Sequence, residues 1–285
     1  MTRALLYTLC LWLTGCGLLY KNKFEGPGVK IYSNQDVQFV QDVGHKSLRI
    51  CHEYQRLFNL SSKDIGTIRI ILSGNSQSKD QSESTLGFYM GEFNYINIGT
   101  NVENVRKEPL LSEVLLHEIA HHFLITDYPD IVNKAWLNEG LAGVFEVTQF
   151  EDWNFEYPLF NPVLYEIVRS KNRDGAFKAI LTLDWSDFHR QGTKEDNYAV
   201  AWSIAYYMIQ NAFDRSLPLG DRIKMLYCLD NDELIKYEKE WQSYLRLFNE
   251  DKFLMDYAID SMHYPLTASW AVREIARLRE KVNKN

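Results

Sequence analysis

The chain has 285 residues, 46% of them hydrophobic and 14% aromatic, and a net charge of −7. That composition suits a well-packed globular protein of one large domain or two intimate subdomains. The acidic balance and the lack of any basic run argue against nucleic acid as a partner.

Met1 to Cys16 carries one early positive charge, Arg3, followed by an apolar run from Ala4 to Leu13. The run is short for a bilayer span and reads as a secretory signal. It ends Leu13-Thr14-Gly15-Cys16, which resembles the bacterial lipobox. The resemblance implies cleavage before Cys16 and lipidation of that cysteine. The product would be an exported lipoprotein held at an envelope membrane through its acyl chains. Gly17, where an inner-membrane retention signal would have Asp, implies the outer membrane or the cell surface. An uncleaved anchor, or a plain signal cut elsewhere, is the alternative. Residues 17–28 read as a polar tether and 29–285 as the globular part. Beyond Cys10 and Cys16 only Cys51 and Cys228 remain. In an exported protein they can pair, or stay as free buried thiols.

The first half reads as mixed. Val29 to Tyr32 is a predicted strand. Asp36 to Phe58 is a predicted amphipathic helix with Gly44 as its weak point. His45 and His52 share a face of it, two turns apart, with no carboxylate at ligand spacing. Thr67 to Leu72 is a strand. Gly74 to Thr85 is a polar loop. Leu86 to Met90 and Tyr95 to Ile98 flank a turn, as in a hairpin.

Pro109 opens an apolar stretch that reads as a buried helix. Within it stands His117-Glu118-Ile119-Ala120-His121. Positions four apart share a helical face, so the two imidazoles can converge on one ion. Glu118 lies about 100° round the helix, poorly placed as a ligand but able to reach a water on that ion. A catalytic zinc needs a third protein ligand. Glu139 is the candidate. Seventeen residues lie between it and His121, and it stands in Trp136-Leu137-Asn138-Glu139-Gly140-Leu141-Ala142, with Asn138 as a suitable cap for a second helix. His122 points elsewhere and reads as a hydrogen-bonded neighbour.

These two motifs together resemble the gluzincin metallopeptidases. The second is similar to the M1 aminopeptidases and to the small peptidase MA-like domains. The resemblance implies that His117, His121 and Glu139 bind Zn2+ and that Glu118 is the catalytic base. The fold implied is a thermolysin-like α+β catalytic domain. Residues 29–130 would form a small mixed sheet with the zinc helix, and 131–285 a helical subdomain. The substrate implied is a peptide or protein. Two features depart from the M1 pattern. The spacing to Glu139 is one residue short, and Met90-Gly91-Glu92-Phe93-Asn94 has the wrong order for the motif that grips a free amino terminus. An aminopeptidase and a non-catalytic zinc-containing binding module are therefore the rival readings. By the same resemblance, Tyr95 to Ile98 could be the edge strand that pairs with an extended peptide; a plain sheet strand is the alternative.

The second half reads as helical. Helices are predicted over Asn138–Thr148, Pro162–Ser170, Gly175–Leu183, Asn197–Phe213, Leu219–Leu229, Asp232–Phe248 and Thr267–Lys284. Asn197–Phe213 is apolar nearly all round and should be central. Tyr198-Ala199-x-Ala201-Trp202 resembles the peptidase MA-like segment that supplies an oxyanion-stabilising tyrosine, which makes Tyr198 the candidate donor. A packed, hydrogen-bonded tyrosine is the plain alternative. His189 is the second candidate donor.

Overall fold

The computed structural model describes residues 20–73, 87–99, 110–146, 161–169, 174–190 and 192–247. Cys16 with its signal, the loop 74–85 and the predicted helix Thr267–Lys284 lie outside these residues. The class is α+β, with one small mixed sheet and many helices. Two compact units, Met1–Thr126 and Asp127–Asn285, divide the chain.

The first unit carries the sheet. β1 (Asn22–Gly26) and β2 (Val29–Ser33) form an antiparallel hairpin. The segment read as a tether thus supplies a strand. Its composition is polar, but Phe24 alternates into the core. Pro27-Gly28 makes the turn, with Gly28 at φ 75°, where a side chain would be strained. Two helices follow, α1 (Val37–Phe58) and α2 (Ser62–Ile65), and then β3 (Ile68–Ser73). β2 and β3 pair in parallel, as do β3 and β5 (Tyr95–Gly99). β4 (Gly87–Met90) pairs antiparallel with β5.

The strand order is β1-β2-β3-β5-β4. This corrects the expected edge. The Tyr95 strand has a neighbour on both sides, so its backbone groups are used within the sheet. Among the described residues the edge on this side is β4. Met90-Gly91-Glu92-Phe93-Asn94 is the connection between the two strands, a 3-10 turn over Gly91–Phe93 closed by Asn94 at φ 48°. Asn is one of the few side chains that tolerate that conformation.

α1 starts where the sequence indicated, because Asp36 caps it. Its carboxylate accepts from the backbone of Gln38 at 2.8 Å and of Phe39 at 3.3 Å. α1 packs on the buried helix α3 (Leu110–Asp127). The Tyr54 hydroxyl donates to the Leu116 carbonyl at 2.9 Å. The rings of Tyr54 and Phe58 lie 5.3 and 6.3 Å from that of Phe123. Lys46 donates to Ser112 Oγ at 2.9 Å, and burial pushes its ammonium down to about 8. Cys51 is buried and Cys228 exposed, and both are free thiols. Burial pushes the Cys51 thiol up to about 12.

The second unit is helical. It contains α4 (Ala135–Phe145), α5 (Pro162–Arg169), α6 (Ala176–Leu181), α7 (Trp185–Phe188), α8 (Lys194–Tyr207), α9 (Leu219–Cys228), α10 (Asn231–Ile235) and α11 (Glu238–Leu247). α8 is central, as its all-round apolarity indicated, and α4, α5, α6 and α11 pack on it. It begins three residues before the predicted start, with Glu195 and Asp196 in its first turn, where acids suit the helix dipole. It gives way to a wide π turn over Met208–Ala212, in which the Phe213 amide reaches back to the Met208 carbonyl at 3.0 Å. Arg222 Nη1 donates to the Ile209 carbonyl there at 2.7 Å. The helix predicted over Asp232–Phe248 is two helices. Between them the amides of Lys236 and Tyr237 bond three residues back, to Glu233 and Leu234, instead of four. Among the described residues no helix is long and apolar enough to cross a membrane.

Gly44 is more than a weak point of α1. A Cβ there would stand 2.3 Å from Cγ of Phe24 on β1. Gly44→Ala should therefore destabilise the protein by roughly 1–3 kcal/mol, as overpacking does. Helix propensity alone would give a gain of up to about 1 kcal/mol. Urea unfolding of the two proteins decides between these signs.

Candidate metal centre

α3 owes its position to apolar side chains on every face, and it carries four titratable groups inward with them. His117 is 9% exposed, Glu118 and His121 6%, and His122 1%. One turn separates His117 from His121, so their rings meet at 4.7 Å between centroids and 83° between planes. The two Nε2 atoms stand 3.0 Å apart. Such nitrogens repel through their lone pairs unless a proton or a cation lies between them.

Glu118 turns toward the sheet. A Cβ built on Gly87 of β4 would lie 2.9 Å from Glu118 Oε1 and 2.9 Å from Val114 Cγ1. The missing side chain at position 87 is what lets the edge strand pass directly beside this carboxylate. No local pattern around position 87 signals that role. Tyr89, two residues along β4, contacts His121 and His122 of the same helix. Its hydroxyl lies 2.9 Å from His122 Nδ1 and 3.3 Å from Asn94 Oδ1, and its ring stacks 6.5 Å from that of His121. Burial pushes the His122 imidazole down to about 4 against a smaller upward pull from the Ile65 backbone, and it pushes the Tyr89 phenol well above its usual range. His122 is thus a neutral, hydrogen-bonded neighbour at physiological pH, the role its position on the helix indicated.

In the second unit Glu139 sits inside α4, buried to 4% exposure. Asn138 is not the cap it was predicted to be. The helix starts at Ala135, and the Lys134 carbonyl accepts from the amides of Leu137 at 3.0 Å and Asn138 at 3.1 Å. Asn138 is consequently buried within the first turns. Gly140 and Gly143 face α8. A Cβ on Gly140 would stand 2.6 Å from the Ala201 carbonyl oxygen, so the two backbones nearly touch. His189 follows α7, and its Nε2 lies 3.4 Å from Glu139 Oε1. Its Nδ1 lies 3.4 Å from the Tyr198 hydroxyl on α8. The His189–Glu139 contact has no local sequence signal, because fifty residues separate the partners.

His117, His121 and Glu139 each offer one ligand atom, and these atoms all lie within 4.8 Å of one another. The three form a group that could hold a metal ion. Two imidazole nitrogens and a carboxylate oxygen are a fitting donor set for zinc, and the facing Nε2 pair is the arrangement a shared cation would stabilise. His45 and His52 are exposed on α1 and take no part in this group.

A family model described as "Protein of unknown function (DUF1570)" matches residues 115–219. That stretch contains His117, Glu118, His121, Glu139, His189 and Tyr198. No curated protein and no solved structure matches the chain.

The Gly140 contact sets where Glu139 lies along α8. Gly140→Ala should cost roughly 1–3 kcal/mol of stability, because the clash is with a backbone carbonyl that cannot rotate away. Gly143→Ala, whose Cβ would meet Trp202 at 3.6 Å, is an ordinary van der Waals contact and should cost less. Thermal unfolding of the two variants tests the ranking, and equal losses would refute it.

Proposed function

We propose that the protein is a zinc-dependent peptidase of gluzincin type, with a thermolysin-like arrangement of its catalytic residues. The observation that carries this reading is the His117, His121 and Glu139 group beside a buried Glu118 on the same helix. A helix that needed only packing would have no use for a buried carboxylate at that position. A bound zinc supplies Lewis acidity, lowering the pKa of water and withdrawing electron density from a carbonyl.

His117, His121 and Glu139 would hold the ion. Glu118 is the general base. Its carboxylate takes a proton from water as the water oxygen adds to the peptide carbonyl carbon. It delivers that proton to the amide nitrogen as the C–N bond breaks, so a carboxylic acid and an amine leave. Tyr198 donates its hydroxyl hydrogen to the oxygen that gains charge during the addition. An extended peptide suits this reading, because among the described residues β4 is the edge strand of the sheet and runs past the Glu118 carboxylate at Gly87. We place the enzyme at an envelope membrane, exported and anchored by acyl chains on Cys16.

The test is metal content together with cleavage of a randomised peptide library read by mass spectrometry. The wild type should carry about one zinc per chain. Glu118→Gln should keep the zinc and lose about 10²–10⁴-fold in cleavage rate. His121→Ala should lose the zinc. A folded wild type without zinc, or equal cleavage by Glu118→Gln, would overturn the reading. For the anchor, Cys16→Ser expressed in a bacterial host should leave the membrane fraction, and retention there would refute lipidation at Cys16.

A further inference from the structure

His189 touches Glu139 with one ring nitrogen and Tyr198 with the other, and we propose that it is the positioning residue that aims the Glu139 carboxylate at the metal. The proposal rests on the zinc reading above. The two ring nitrogens face partners of complementary character. An ionised carboxylate can only accept, so the favourable tautomer places the hydrogen on Nε2, 3.4 Å from Glu139 Oε1. The lone pair is then on Nδ1, which faces the Tyr198 hydroxyl at 3.4 Å and accepts from it. Donation runs one way, from Tyr198 through the imidazole to Glu139.

The ring has little freedom to leave this path. Trp185 stacks on its face, 4.9 Å between centroids and 13° between planes. Phe188 meets it edge-on at 5.3 Å and 70°. Trp185 is itself tied down, because its indole nitrogen donates to the Val132 carbonyl. Stacked on Trp185, met by Phe188 and contacted at both nitrogens, the imidazole is fixed in tautomer as well as in orientation. With Oε1 engaged by His189, the second carboxylate oxygen is the one presented to a cation. Partners of this kind around metal ligands typically contribute 10–100-fold in affinity. The arrangement also separates His189 from the role of oxyanion donor. Its Nε2 faces a protein carboxylate and its Nδ1 a protein hydroxyl.

The experiment is zinc affinity of the full chain, measured by competition with a fluorescent chelator in the absence of any substrate. His189→Asn and His189→Gln make the informative pair. Both are polar and similar in size, but only Gln places an amide donor at the reach of Nε2. His189→Asn should weaken zinc binding by about 10–100-fold, and His189→Gln should recover affinity to within about threefold of the wild type. Tyr198→Phe removes the hydroxyl that fixes the tautomer and should fall between them. Affinities for His189→Asn and His189→Gln that equal each other or the wild type would overturn the positioning role. A wild type that binds no zinc would overturn the metal reading itself, which is a separate result.

Discussion

The cost of placing four titratable side chains inside one apolar helix governs the first unit. A buried carboxylate or imidazole is expensive unless something answers it. Each of the four on α3 has a distinct environment. Tyr89 holds His122. His117 and His121 confront each other through Nε2. Glu118 lies under the open position at Gly87. α1 and the sheet can therefore be read as the frame that makes this helix tolerable. The Tyr54 and Phe58 rings fill one flank, and the edge strand is thinned to a glycine on another.

The second unit solves a different problem, which is how to bring three functional groups from three segments to one place. Its device is close backbone approach. Gly140 lets α4 lie against the Ala201 carbonyl, with Ala205 Cβ 3.3 Å from the same point. Glu139 is the residue before that contact, and Tyr198 is three residues before Ala201. The register of α4 on α8 therefore sets both side chains at once. His189 enters from the short helix α7. That helix is fixed at its start by Asp184, which accepts from the Asp187 amide at 2.8 Å.

What was legible in the sequence follows the range of the forces involved. α1 was placed almost to the residue because its cap is local, in Asp36. His117 and His121 were brought together by helical periodicity alone. The strand at Asn22–Gly26 was missed because its pairing partner, not its composition, makes it a strand. The edge strand was misassigned for the same reason. Hairpin and turn were visible, but which of the two strands would lie beside β3 is a long-range choice. Asn138 misled because its type suits a cap, while the Lys134 carbonyl four residues earlier already accepts the first helical bonds. The Gly87 and His189 roles left no trace in spacing, since both depend on contacts between distant segments.

Sequence alone made Tyr198 the candidate donor to a developing oxyanion, with His189 as the runner-up. Their surroundings distinguish them. His189 has a carboxylate on one nitrogen, a hydroxyl on the other and aromatic rings packed against it, so turning its N–H toward a substrate would break contacts on every side. The Tyr198 hydroxyl reaches His189 only at 3.4 Å, a long and hence weak hydrogen bond. A phenol rotates its O–H about a single bond without moving its ring. Redirecting that hydrogen to a charged oxygen exchanges a weak neutral contact for a stronger charge-assisted one. On the function proposed above, the two residues divide the work: the imidazole fixes a ligand that must not move, and the hydroxyl supplies the donor that must.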